Sequence, residues 1–191
     1  MKQIFPAIKI FAFITVLTGL VYPLLITAVS QAIFRDKAGG GILMRNGRPI
    51  GATLIAQKFA ADKYFWVRPS SIDYNPLPSG GSNLGPTSEG LKKAVKDRSE
   101  QIKKVDDATA AIPQELLMAS GSGLDPEISP EAAFFQVNRV LKARGLTDKQ
   151  VVLNLIENYT EKPDLRFLGE SRINVLRLNM ALDELSGDKP K

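Results

Sequence analysis

Neither cysteine nor histidine occurs anywhere in this sequence. The first absence excludes disulfides and thiolate nucleophiles, the second imidazole general bases, and the two together the usual zinc ligands. Also missing are a Gly-x-Ser-x-Gly elbow, an Asp-x-Asp cluster and a phosphate-binding loop ending in Gly-Lys-Ser/Thr. The one Ser-x-x-Lys match, Ser186 to Lys189, sits in a polar tail that offers nothing to hold a nucleophile against its base. No catalytic residue and no metal ligand is assigned, and most hydrolytic and redox mechanisms are closed.

Charge of one sign is also scarce in excess. The chain of 191 residues carries 25 Lys plus Arg against 20 Asp plus Glu, a net +5, with both signs interspersed. Its most basic stretch, Gly90 to Lys104, contains Asp97 and Glu100 and lacks the interleaved aromatics that stack bases, so nucleic acid is not an expected partner.

What is present is a long uncharged run, Ile10 to Phe34, bracketed by Lys9 and Arg35. As a helix it extends about 37 Å at about 1.5 Å per residue, enough for a hydrocarbon core of roughly 30 Å. A cleavable secretory signal competes with this reading: Lys2 and Lys9 form a basic start, and Ser30-Gln31-Ala32 is an acceptable cleavage site. The run exceeds the roughly 7 to 15 apolar residues of such signals, which favours a retained anchor. Ala12, Thr15 and Gly19 recur at spacings of three and four and share a helix face where a second helix can approach, and Gly19 with Pro23 marks a bend. An ordinary single span whose small residues carry no meaning accounts for the same letters. Counting Lys and Arg on the flanks places the following domain in the cytoplasm, but large domains cross largely regardless of charge.

Beyond the span, residues 37–187 read as an α+β domain, with short strands first and three or four helices after, followed by a polar tail at 188–191. Asn46-Gly47 is the preferred pair for a tight hairpin turn, and Tyr64 to Pro69 is a third strand candidate. Pro69 to Ser88, rich in Pro, Ser, Gly and Asn, reads as an ordered surface loop. Ser88 caps a helix presenting Leu91, Val95, Ile102 and Val105; Ser129-Pro130 opens one with Phe134, Val137 and Leu141 inward, ended by Gly145; Thr147 and Gln150 form a capping box. The last helix, from about Ser171, is apolar on two opposite sides and is therefore buried on both.

Two Gly/Ser loops could cradle an anion or contact a partner: Ser79, Gly80, Gly81, Ser82 and Asn83, and Ser120, Gly121, Ser122 and Gly123. No lysine follows the second to meet a phosphate, and Asp125 and Glu127 nearby repel one, so turn and cap chemistry is the better reading.

Taken together, "TGLVYPLLIT", "YFWVRPS" with "YNP" and "SGGSNLGPTS", "ASGSGLDPEISPEAAFFQVNRV" and "LGESRINVLRLNMAL" resemble the C subunits of Kdp potassium-transporting P-type ATPases, in order and over nearly the whole chain. The resemblance implies a non-catalytic single-span subunit of a bacterial inner membrane. The partners it implies are a channel-like subunit, KdpA, an ATP-hydrolysing subunit, KdpB, and a small single-span peptide, KdpF. It also implies a cytoplasmic N-terminus, a periplasmic or external domain covering the rest of the chain after residues 1–36, and a chaperone-like effect on ATP use, with ATP met through the complex rather than tightly bound. "LPSGGSN" is similar to the LSGGQ signature of ABC transporters, but Pro78 interrupts it and Ser82 replaces the glutamine. A nucleotide-binding regulator and a secreted binding protein released by signal cleavage are the alternatives.

Overall fold

The computed structural model describes residues 3–45, 47–106 and 110–185, in two compact units, Met1–Ile50 and Gly51–Lys191. Lys2, Asn46, Ser186, Lys189 and the tail at 188–191 lie outside the described residues.

In the first unit the apolar run is a helix in three parts, α1 (Ile4–Val16), a π-helical turn at Leu17–Val21 and α2 (Tyr22–Ile33). The widened turn follows from Pro23, which has no N–H to give and whose ring would press on the carbonyl of Gly19 four residues earlier. There the N–H of Tyr22 donates five residues back, to the Leu17 carbonyl. The sequence irregularity is thus absorbed without breaking the helix. Thr18 and Thr27 turn their hydroxyls onto the carbonyls of Ile14 and Pro23, both at 2.8 Å, so these two polar groups are satisfied within the helix. Together Ile4–Ile33 form 30 residues, long and apolar enough to cross a bilayer. A short α3 (Arg35–Ala38) follows, then β1 (Ile42–Arg45) and β2 (Arg48–Ala52), paired as a two-stranded sheet.

The second unit contains α4 (Glu89–Val105), α5 (Pro130–Arg144), α6 (Lys149–Tyr159) and α7 (Val175–Leu185). Its sheet is antiparallel with order β3-β5-β4, where β3 is Glu127–Ile128, β4 Thr160–Glu161 and β5 Arg172–Asn174. The central strand pairs Ile173 with Ile128 on one side and Thr160 on the other. Phe65, Ile128, Val137, Val140, Val152, Ile156, Ile173, Leu178 and Leu182 form the buried core. The class is α+β, as the sequence indicates.

Local chemistry sets most boundaries. Ser129 Oγ accepts from the Ala132 N–H at 3.1 Å with Pro130 at the first helical position, and α5 ends at Gly145 with φ +64. At α6 the expected capping box is replaced: Asp148, not Thr147, is the cap, because its short carboxylate reaches the Gln150 N–H directly at 2.9 Å. Ser88 stands at the start of α4 with extended backbone but makes no side-chain cap bond, and only Ile102 of the expected stripe is fully buried. The inner face of α5 is rotated from expectation: Ala132, Ala133, Gln136, Val137 and Val140 are buried, while Phe134 is exposed. Residues near Ser171 enter a strand first, and α7 begins at Val175; it is central, with Val175, Leu176, Leu178, Ala181 and Leu182 buried around its circumference.

Tyr64 to Pro69 is not a strand. Its backbone is extended beside α5 and α7 and bonded to their side chains. Asn179 of α7 accepts from the Phe65 N–H and donates to the Phe65 carbonyl, and Gln136 of α5 does the same for Trp66. The apolar alternation survives, with Phe65 and Val67 buried, but side-chain amides stand where a neighbouring strand would.

Candidate functional site

The two Gly/Ser loops lie against each other although Ser79 and Ser122, which touch, are 43 residues apart in sequence. Gly80 N–H donates to the Ser122 carbonyl at 3.0 Å and Ser79 Oγ to the same carbonyl at 2.9 Å. Ser120 N–H reaches the Pro69 carbonyl at 3.0 Å. Two glycines are needed for this approach: a Cβ on Gly81 would lie 2.8 Å from the Gly121 carbonyl oxygen, and one on Gly123, where φ is +69, would lie 2.5 Å from Ile72 Cγ1. Gly123 N–H turns back to Ser120 O and Leu124 N–H to Ser122 Oγ, so these amides are spent on the loops themselves. Both loops also carry exposed positions, Ser79 and Gly121 among them. Ser82 and Asn83, the latter at φ +53, are exposed.

The long loop from Pro69 is ordered by its own polar atoms. Ser70 Oγ accepts from the N–H groups of Ile72 and Tyr74, and Tyr74 OH donates to the Arg68 carbonyl at 3.0 Å. Burial, reinforced by the Asp73 carboxylate, pushes the Tyr74 hydroxyl up to about 12, so it stays protonated and keeps donating. Beside it opens a cleft of about 260 Å³ walled by Phe59, Trp66, Tyr74, Arg98, Gln101 and Ile102. Arg98 is held from behind by the Leu117 carbonyl at 2.7 Å.

Two buried cations tie the 62–66 segment to α5. Arg139 donates to the carbonyls of Asp62 and Tyr64, to Gln136 and to Asp106, and its guanidinium lies 3.8 Å from the Trp66 ring centroid. Burial raises the Asp106 carboxyl and lowers Arg139, each opposed by the charge of the other. Arg144 donates to the Lys63 carbonyl at 2.8 Å and pairs with Asp183 at 2.7 Å, and Tyr64 OH reaches the same carboxylate at 3.3 Å. Burial together with that carboxylate raises the Tyr64 hydroxyl. Glu127 is raised mainly by burial, with Arg172 opposing. Arg139 and Arg144 bind backbone carbonyls and their carboxylate partners, whereas Glu127 lines a cleft of about 220 Å³ with Arg68, Glu115, Asp125 and Arg172.

In the sequence, Gln136, Arg139, Asn174 and Asn179 carry no motif, yet they hold the domain together; Asn174 donates to the Thr53 carbonyl at 2.7 Å. The signal available for them is a polar residue set inside an apolar helix stripe, as Asn179 is between Leu178 and Leu182. Among the described residues no group of three or more His, Cys, Asp or Glu is arranged to hold a metal. In the span, Ala12, Thr15, Gly19 and Pro23 are all exposed, and a Cβ at Gly19 would meet nothing within 4 Å.

A span of membrane-crossing length joined to an α+β domain is the architecture of a membrane-anchored protein. Residues 4–184 match the family described as KdpC, the c chain of K+-transporting ATPases. Relatives named potassium-transporting ATPase KdpC subunit are 48% identical in Paraburkholderia phytofirmans (97% of this chain, 98% of the relative) and 48% in Geotalea uraniireducens (97% and 100%). Another of that name in Geobacter sulfurreducens is 47% identical (97% and 99%). The chain belongs to the KdpC family and is a subunit of a transport ATPase rather than an enzyme by itself.

Proposed function

We propose that this subunit stabilises an ATP-driven potassium-uptake complex and supports its ATP-hydrolysing subunit from the outer face of a bacterial inner membrane. The observation that carries the reading is the span: every described residue of Ile4–Ile33 but Ser30 is exposed, including the face of Ala12, Thr15 and Gly19, so the helix surface is available to lipid and to other spans. The partners in this reading are the channel-like subunit KdpA, the hydrolysing subunit KdpB and the small peptide KdpF. Residues 1–36 then hold the cytoplasmic start and the membrane crossing, and residues 37–187 the external domain. ATP acts through the complex, a reading supported by the N–H groups of Gly80, Ser120, Gly123 and Leu124, which donate within the domain.

The test is Gly19→Leu in a co-expressed complex. A Cβ at Gly19 meets nothing within 4 Å outside its own helical turn, so a loss of co-purifying subunits reports on a partner span. Unchanged co-purification would sink the role of this face. Orientation is read with the cysteine-free background: Lys93→Cys on exposed α4 should react with an impermeant maleimide in intact cells. Reaction only after lysis would place the domain inside and restore direct nucleotide contact, and a mature mass lacking the span would mark a secreted protein.

A further inference from the structure

The cleft beside Tyr74 combines apolar walls with a cation that no carboxylate among the described residues neutralises. The rings of Phe59, Trp66 and Tyr74 line it together with Ile102 and Leu116, both buried. Two of these rings are held in place by the domain itself. Gln136 bonds to both backbone polar atoms of Trp66, the Arg139 guanidinium lies 3.8 Å from the Trp66 ring centroid, and Tyr74 OH donates to the Arg68 carbonyl. Walls ordered in this way cost a ligand little reorganisation.

Arg98 and Gln101 reach the cleft from one face of α4. Arg98 Nη1 donates to the Leu117 carbonyl at 2.7 Å, which leaves the Nε and Nη2 edge of the guanidinium without a partner among the described residues. That edge carries two parallel N–H groups, the arrangement that takes both oxygens of a carboxylate. The other cation at the cleft, Lys58, is already paired with Asp73 at 2.6 Å. One uncompensated charge suits a ligand with one negative group, whereas a polyphosphate brings more charge than a single guanidinium meets. The volume of about 260 Å³ lies just below the roughly 300–1,000 Å³ of clefts that take drug-sized molecules, which limits the ligand to a small one.

We infer that this cleft binds a small carboxylate with a flat apolar body, its two oxygens on the Nε and Nη2 edge of Arg98 and its body against the aromatic walls. The site uses the second unit alone, so it stands or falls independently of the subunit reading. Trp66 is the only tryptophan of the chain, and its fluorescence therefore reports occupancy of the cleft. The probe is phenylacetate, titrated into the full-length chain in detergent. Wild type should give a saturable change with a Kd below about 1 mM. Phenylacetamide, which keeps the shape and lacks the charge, should bind at least about tenfold more weakly. Arg98→Lys keeps the charge and loses the paired N–H groups, and Arg98→Gln loses both. Affinity should fall in that order, by about tenfold or more for Arg98→Gln. Should Arg98→Gln fail to fold, the comparison of acid and amide on wild type decides alone. No saturable change up to about 10 mM, equal binding of acid and amide, or unchanged affinity in folded Arg98→Gln would overturn the inference. Displacement of the probe by ATP at a lower concentration than by unlabelled carboxylates would assign the cleft to a nucleotide and overturn it as well.

Discussion

Asn179 holds the backbone of Phe65 at both of its polar atoms: Oδ1 accepts from the Phe65 N–H at 2.8 Å, and Nδ2 donates to the Phe65 carbonyl at 2.9 Å. One side chain from α7 thereby supplies what a neighbouring strand would, at a residue that is completely buried. Removing it leaves a buried donor and a buried acceptor without partners, at about 1–3 kcal/mol each. Asn179→Ala should therefore lower the unfolding free energy by about 2–5 kcal/mol, measured by urea titration of the full chain in detergent. A loss below about 0.5 kcal/mol would show that Phe65 finds other partners.

The glycines of the paired loops separate two reasons for being glycine. Gly123 combines φ +69 with a Cβ position 2.5 Å from Ile72 Cγ1 and 2.9 Å from the Gly80 oxygen. Gly123→Ala should cost about 1–3 kcal/mol. At Gly121 a Cβ meets nothing within 4 Å, so Gly121→Ala should stay within about 0.5 kcal/mol of wild type. If Gly121 instead admits a phosphate, the same variant will keep its stability and lose ATP affinity in calorimetric titration. That result would contradict the reading in which these loops serve to pack against each other.

Elements whose signals are local were legible in the sequence. The span follows from an uncharged run, and the start and end of α5 from Ser129-Pro130 and Gly145, because each depends on chemistry within one helical turn. The small sheet was not legible: β3, β4 and β5 are two or three residues long, too short for alternation to register, and they exist because Ile173 lies between Ile128 and Thr160 from distant parts of the chain. Tyr64 to Pro69 shows the converse, since its pattern is that of a strand while its hydrogen-bond partners are Gln136 and Asn179. The two Gly/Ser loops were each visible, but their pairing depends on contacts across the domain, such as Ser79 with Ser122.

Asp106 and Arg139 permit a sharper test, because burial and ion pairing oppose each other at one carboxyl. Both side chains are buried, with Arg139 Nε 3.1 Å from Asp106 Oδ2, while Asp106 Oδ1 has no hydrogen-bond partner among the described residues. Burial outweighs the attraction of Arg139 and raises the Asp106 pKa, with Asp62 adding a further push. The folded chain then holds this proton more tightly than the unfolded chain. The contribution of Asp106 is fully present below the unfolded value of about 4, and it is lost as pH rises through the folded value. Asp106→Asn removes the titration and keeps an uncharged side chain of the same shape beside Arg139, the form that burial favours. Measured against Asp106→Asn, wild type should therefore gain stability as pH falls from neutral toward about 4, followed by denaturant titration at each pH. A relative loss over the same range would mean that Arg139 holds the carboxyl below its ordinary value, and that the ion pair rather than burial governs this site.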